Sequence, residues 1–92
     1  MSVKMISWAF QQKVSSTEKL VLIALADHAN DEDFTCWPSL NHLVKKTSLC
    51  RKTVWKAIDK LVGKGLVKRV NDQTKRSTVY YLIGADVTSD RY

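Results

Sequence analysis

Hydrophobic residues follow different spacings along the chain, and each spacing predicts a different element. The run from Leu20 to Ala29 is almost entirely apolar, which predicts a helix covered on more than one side. Ser15 and Glu18 precede it at capping-box spacing, so we expect this first helix to begin beside Ser15. The required cover would come from a second subunit or from four apolar residues near the start of the chain: Met5, Ile6, Trp8 and Phe10.

A short strand and a second helix are predicted next. Phe34 to Trp37 favours extended structure. Pro38 suits the first position of a helix, and the helix predicted from Pro38 to Lys46 places Leu40, Leu43 and Val44 on one narrow stripe. This helix has a single apolar face and should lie at the surface.

A third helix is predicted from about Arg51 to Lys64, after a short break at Thr47, Ser48 and Leu49. Gly65 is suited to a left-handed cap at its end. Its apolar residues share one face by helical spacing: Val54, Ala57, Ile58, Leu61 and Val62.

A β-hairpin is predicted after the third helix. Leu66 to Val70 and Thr78 to Ile83 are rich in β-forming residues, and the polar stretch Asn71 to Ser77 between them indicates a loop. The predicted fold is therefore mainly α with a small β-hairpin, a winged helix-turn-helix with three helices plus a wing. Residues 1–83 form one domain in this interpretation, and residues 84–92 form a flexible tail.

Charge is distributed unevenly over this pattern. Residues 45–76 contain eleven Lys and Arg against two Asp, a net charge of +9, whereas the whole chain carries only +6. Such a concentration favours a polyanionic partner, either nucleic acid or an acidic membrane surface, although a basic face can also serve solubility alone.

The third predicted helix separates these alternatives. Four lysines follow one another at four-residue spacing on the face opposite its apolar stripe: Lys52, Lys56, Lys60 and Lys64. Like charges at this spacing destabilise a helix by about 0.2–0.5 kcal/mol per pair, and only Asp59 lies among them. A phosphate-lined groove removes that repulsion, so the pattern favours a helix that enters the major groove of DNA.

Candidate DNA contacts follow from this placement. Residues in the first turn of such a helix reach base edges or phosphates, and residues along its flank reach phosphates. The N-terminus of the second helix and the far end of the hairpin loop could add backbone contacts. The predicted DNA-binding residues are Ser39, Asn41, Arg51, Lys52, Thr53, Trp55, Lys56, Lys60, Lys75 and Arg76.

Trp55 has alternative roles, and three residues outside this set lie close to the predicted contacts. Trp55 could contact thymine methyls or sugars, pack beneath the second helix, or contact a second subunit. His42, close to Ser39 and Asn41, is better interpreted as an exposed neutral side chain. Lys68 and Arg69 on the strand could extend the basic surface of the wing, although exposed hairpins are often basic without a role.

The residues that carry a family resemblance lie at 16–22, 24–30, 36–39, 53–58 and 61–67. Together these segments resemble the winged-helix domain at the N-terminus of phage and plasmid replication initiators. The resemblance covers most of residues 5–83, and similar winged helices occur in small transcriptional regulators. It implies that Cys50 to Thr53, Trp55 and Lys56 face DNA. Cys50 stands where that family usually has a Ser or Thr cap, and Trp55 where a basic residue is frequent.

Other chemistry has little support in the sequence. Cys36 and Cys50 are isolated thiols with no second pair or nearby histidine at ligand spacing, which argues against zinc and favours reduced cysteines. No acid/base pair, activated nucleophile or phosphate-binding glycine loop is apparent, so neither an enzyme nor a cofactor is expected. Without a signal peptide or membrane span, a cytoplasmic protein is predicted.

The predicted partner is therefore double-stranded DNA, with no membrane association. A homodimer and a protein partner from replication or transcription are compatible additions. The alternative function is a winged helix that binds protein instead of DNA, using Trp55 and the wing as its contact surface.

Overall fold

The computed structural model describes residues 3–30, 35–72 and 77–83. Within these ranges it is mainly helical with one small antiparallel sheet, the predicted winged helix-turn-helix architecture, but with four helices instead of three. The predicted C-terminal tail, residues 84–92, lies outside the described residues. The elements in chain order are α1 (Val3–Gln11), α2 (Ser16–His28), β1 (Thr35–Cys36), α3 (Leu40–Thr47), α4 (Arg51–Gly63), β2 (Val67–Asp72) and β3 (Ser77–Leu82).

The additional helix, α1, covers one side of α2. Met5 and Trp8 are buried and Ile6 is partly buried against the core, as the sequence predicted for these residues. Phe10 was expected to contribute as well, but its side chain is 44% exposed. The sequence interpretation was therefore wrong for this residue, which lies on the solvent side of α1.

Ser15 is the N-cap of α2, as its spacing to Glu18 predicted. The Ser15 hydroxyl accepts a hydrogen bond from the Glu18 backbone N–H at 3.3 Å and donates to Glu18 Oε2 at 2.5 Å. The reciprocal bonds satisfy one otherwise free helix amide and hold the carboxylate in place.

The start of α3 differs from the prediction. Ser39 is the N-cap, with extended backbone angles, and its hydroxyl accepts a hydrogen bond from the His42 N–H at 3.1 Å. Pro38 therefore precedes the helix and does not occupy its first position. A serine side chain can satisfy a free amide of the first turn, and this capping overrode the preference of proline for that turn.

The hairpin is longer than predicted. β2 and β3 pair from Val67↔Leu82 to Asp72↔Ser77, so only residues 73–76 separate them, instead of Asn71 to Ser77. β3 is also the central strand, because β1 pairs with it through Thr35↔Tyr81 and Cys36↔Tyr80. Phe34, predicted to be in β1, lies outside the described residues, and Trp37 falls beyond the strand.

The core lies between α2, α4 and the sheet, and it fixes the orientation of α4. Four α4 residues are buried in it, so the opposite side of that helix faces outward. None of the described helices is long and apolar enough to cross a membrane. The fully buried side chains at the centre include Leu22, Leu25, Leu43, Val54, Ile58, Leu61 and Val67.

Candidate nucleic-acid interface

The turn between α3 and α4 is held by side-chain and backbone hydrogen bonds. Buried Thr47 ends α3, and its hydroxyl donates to the Leu43 carbonyl at 2.7 Å and accepts from the Leu49 N–H at 3.3 Å. Ser48 adopts the left-handed conformation, φ 61°, and its N–H donates to the Val44 carbonyl at 2.9 Å. These bonds fix the angle at which α4 leaves α3.

The face of α4 opposite the core carries the predicted lysine row. Lys52, Lys56 and Lys60 are all exposed. Among residues 3–30, 35–72 and 77–83 none of the three forms an ion pair. Their positive charges are therefore uncompensated by contact and directed to solvent. We call these three residues the outward row.

Lys64, the fourth member of the predicted row, has a different environment. Its Nζ lies 2.5 Å from Glu18 Oε1, and the Glu18 residue is only 4% exposed. The hydrogen bond from Lys64, with that from Ser15, lowers the pKa of the Glu18 carboxyl despite its burial. Lys64 therefore differs from the other three lysines of the predicted row, because a buried carboxylate on α2 binds it.

Arg69, expected on the outer surface of the wing, instead turns toward α4. Its Nη2 lies 2.7 Å from Asp59 Oδ1, and its guanidinium carbon lies 4.8 Å from the centre of the Trp55 ring. Asp59, the only acid among the α4 lysines, is thereby paired. Strand alternation explains the difference, since the adjacent Lys68 points to the other side of the sheet and is exposed.

Trp55 remains on the surface. Its side chain is 47% exposed, which excludes the predicted alternative of burial beneath α3. The guanidinium of Arg69, from β2, lies over the Trp55 ring. Trp55 therefore lies beside the outward row with part of its indole available to a ligand.

The first turns of α3 and α4 are joined by a hydrogen bond that the sequence did not reveal. Arg51 Nη2 donates to Asn41 Oδ1, so two predicted DNA-binding residues form one surface. Both residues are exposed, as is Lys52, whereas Thr53 is half-buried. No periodic pattern relates residues ten apart across a turn, so the pair could be found only from the structure.

Cys50 is the N-cap of α4, and its side chain makes no capping hydrogen bond, as expected for cysteine at this position. Its Sγ lies 3.0 Å from Thr53 Oγ1, and hydrogen bonding to Thr53 lowers the pKa of the thiol. Cys50 is exposed, whereas burial raises the pKa of Cys36 to about 12. Both thiols are free, and the described residues contain no cluster of three or more His, Cys, Asp or Glu able to hold a metal.

The remaining candidates lie around the N-terminus of α3 or in the hairpin loop. Ser39 is exposed, but its hydroxyl already caps α3. The His42 ring meets the His28 ring at 4.5 Å, and Lys46 nearby pairs with Asp27. Burial, with Lys46 and His42 close by, lowers the pKa of His28. Lys75 and Arg76 lie outside the described residues.

A family model described as a helix-turn-helix domain matches residues 13–67, which is more than half of the chain. The protein belongs to this helix-turn-helix family. The matched region runs from before α2 to the first residue of β2, so it includes α3, the turn and α4. No curated protein and no solved structure was found to match. In helix-turn-helix domains the second helix of the unit enters the major groove, and membership therefore supports DNA binding through α4.

Proposed function

We propose that this helix-turn-helix protein binds double-stranded DNA in a sequence-specific manner, with α4 in the major groove. The outward row carries the proposal: Lys52, Lys56 and Lys60 are exposed and without ion-pair partners in the described part of the chain. Repulsion between them lowers helix stability, and neutralisation by phosphates with release of counterions would reverse that penalty.

Different parts of the surface have different proposed roles. Arg51, Lys52 and Thr53, in the first turn of α4, would meet base edges, because a helix entering the groove presents its N-terminal residues to them. Lys56 and Lys60 would contact phosphates along the flank, and Trp55 would contact a thymine methyl or a sugar. Backbone contacts would come from Ser39 and Asn41 at α3 and from Lys75 and Arg76 in the wing.

The proposed biological setting rests on the resemblance to phage and plasmid replication initiators. We place the protein in the cytoplasm, encoded by a phage or mobile element, acting in replication initiation or in regulation of a nearby promoter. A homodimer on two half-sites, or contact with a replication or transcription protein, would fit both roles.

A salt titration of duplex binding tests the proposal. Affinity for a labelled duplex, measured by fluorescence anisotropy, should fall linearly with salt on a log-log plot, with a slope of about −0.9 for each phosphate contacted. Lys56→Gln should reduce the magnitude of that slope by about 1. The matched control is Lys4→Gln, which removes the same charge from an exposed position on α1 and should leave the slope unchanged.

The same titration can also contradict the proposal. No retention of any duplex at low salt would overturn DNA binding, as would a flat slope. If the protein instead bound a protein partner with salt-independent affinity, the alternative function as a protein-interaction module would be supported.

A further inference from the structure

Arg69 is adjacent to Lys68 in the basic part of the chain, yet the two residues have opposite surroundings. Lys68 is exposed, whereas the Arg69 side chain is only 27% exposed and contacts α4. Resting on the DNA-binding function proposed above, we infer that Arg69 is a positioning residue: it fixes the wing strand β2 against α4 through Trp55 and Asp59, and it is not a phosphate contact.

The geometry joins one side chain of β2 to two residues of α4. Asp59 Oδ1 accepts a hydrogen bond from Arg69 Nη2 at 2.7 Å, and the guanidinium lies over the Trp55 ring at 4.8 Å. Trp55 and Asp59 are four residues apart and therefore neighbours on the helix surface. The distance to the ring is within the range of a cation–π interaction. We call these three residues the Arg69 clasp.

The sheet register explains why Arg69 faces α4. Arg69 pairs with Tyr80, which is buried, whereas Lys68 pairs with Tyr81, which is 41% exposed. Arg69 Nη1 is buried and has no hydrogen-bond partner among the described residues. One terminal nitrogen is therefore committed to Asp59 and the other is shielded from solvent, which leaves the guanidinium poorly placed to reach DNA.

The clasp also changes the electrostatics of the proposed interface. Asp59 lies among the lysines of α4, with a side chain that is 50% exposed, and a free carboxylate there would repel phosphate. Arg69 neutralises it. A planar guanidinium can stack on an indole while its edge binds a carboxylate, whereas a lysine ammonium cannot do both.

The inferred consequence concerns simultaneous binding. β2 carries the exposed Lys68 on the face opposite Arg69. Fixing β2 against α4 therefore keeps this strand and its exposed cation in one position relative to the recognition helix. Two contacts on one rigid body bind with a higher effective concentration than two contacts that move independently, so losing the clasp should weaken affinity without removing a phosphate contact.

The main experiment compares Arg69→Gln with Lys68→Gln in a salt titration of duplex binding. We expect Arg69→Gln to lower affinity by about fivefold or more while the slope changes by less than about half a unit. For Lys68→Gln, which removes the same charge from the other face of β2, affinity and slope should change together or not at all. A slope reduced by about 1 in Arg69→Gln would overturn the inference, because it would identify Arg69 as a phosphate contact.

A double variant adds a rescue test. Arg69→Gln with Asp59→Asn removes both charges and keeps a possible hydrogen bond between the two amides. Affinity should rise above that of Arg69→Gln alone but stay below that of the wild-type protein, because the unpaired carboxylate is gone while the guanidinium that stacked on Trp55 is still missing. If the double variant binds as weakly as Arg69→Gln alone, the clasp is not the cause of the defect.

Two further measurements keep the inference testable. If Arg69→Gln does not fold, Arg69→Lys retains the charge but not the planar group, and it should lower affinity at unchanged slope; wild-type affinity would contradict the clasp. If the wild-type protein binds no DNA, the proposed function fails separately. Urea unfolding of Arg69→Gln, Asp59→Asn and the double variant then tests the clasp. If the changes in unfolding midpoint of the two single variants do not add up to that of the double variant, the clasp is supported; if they do, it is overturned.

Discussion

Lys60 and Lys64 are one helical turn apart, but they illustrate two classes of cation in the same basic segment. Lys60 is exposed and forms no ion pair among the described residues, whereas Lys64 binds the buried carboxylate of Glu18 at 2.5 Å. Lys46 and Arg69 belong to the second class through Asp27 and Asp59. The net charge of a segment therefore overstates the charge that it can present to DNA.

The difference follows from where the acidic partners lie. Glu18 is far from Lys64 in sequence, but the packing of α2 against α4 brings them together. A buried carboxylate needs charged or polar partners, and it binds the nearest cation whether or not that cation follows a periodic pattern. Glu18 also lies close enough to Lys60 to interact with it electrostatically, but its carboxylate oxygens are bound by Ser15 and Lys64. Within the described residues the outward row therefore forms no ion pair.

The largest predicted effect is on stability, at the Glu18–Lys64 pair. Lys64→Gln leaves a nearly buried carboxylate with Ser15 as its remaining hydrogen-bond donor, and we expect a loss of about 1.5–3 kcal/mol in the free energy of unfolding. Lys60→Gln, the matched control, should change it by less than about 0.5 kcal/mol. Urea unfolding measures both, and equal effects would show that Lys64 contributes no more to stability than Lys60.

The same pair predicts a dependence of stability on pH. The pKa of Glu18 is lowered in the folded protein, so its contribution is present above the ordinary value of 4.5 and is lost as the pH falls through the lower folded value. Glu18→Gln should therefore be less stable than the wild-type protein at neutral pH and lose less stability on acidification. Parallel curves for the two proteins would contradict a lowered pKa.

The next effect concerns specificity at the first turn of α4. If Arg51 contacts guanine through two hydrogen bonds, Arg51→Ala should remove about 1–3 kcal/mol of discrimination between sites. The Asn41 hydrogen bond gives a sharper form of this prediction, because Asn41→Ala should reduce discrimination at the same base position if it orients Arg51. Site selection from a random duplex pool measures both, after thermal unfolding has shown that each variant folds. Unchanged preference in Arg51→Ala would move base recognition to Trp55 and Lys56.

A smaller stability effect distinguishes the two left-handed residues that bracket α4. Ser48 has φ 61° and Gly65 has φ 77°, and no atom would lie within 4 Å of a Cβ added to Gly65. Ser48→Gly should stabilise the protein by about 0.5–1 kcal/mol, and Gly65→Ala should destabilise it by about 1 kcal/mol through backbone strain alone. Thermal unfolding is the measurement, and changes of the same sign in both variants would contradict the backbone assignment.

Cysteine labelling gives the smallest change, but it reports where DNA lies. Cys50 is exposed with a lowered thiol pKa, whereas Cys36 is buried with a pKa raised to about 12. Iodoacetamide should therefore modify Cys50 first, and the thiolate form is the one that reacts. Duplex DNA at low salt should slow this modification, as followed by mass spectrometry. Equal rates with and without saturating DNA would place the duplex away from the start of α4.

Much of the fold could be predicted because its signals are local. The Ser15 cap, the break before α4, the left-handed Gly65 and both hairpin strands each follow from a few adjacent residues. The length of the hairpin and the start of α3 were wrong where two local preferences competed, as Pro38 and Ser39 did.

The candidate site was less predictable because ion pairing is not local. The lysine row followed from helical spacing, but the removal of Lys64 from it depends on a carboxylate 46 residues away. Arg69 and its contacts with Trp55 and Asp59 depend likewise on how β2 packs against α4. A sequence can therefore indicate which residues carry charge, but the structure decides which charges are free.

The most direct test of that distinction is the salt dependence of DNA binding in Lys60→Gln and Lys64→Gln. Both variants lose one positive charge from the same end of the recognition helix. For Lys60→Gln the slope of log affinity against log salt should decrease in magnitude by about 1, because a phosphate contact is lost. For Lys64→Gln, assayed where it remains folded, the slope should equal that of the wild-type protein. Equal decreases in both variants would contradict the division into outward and paired cations.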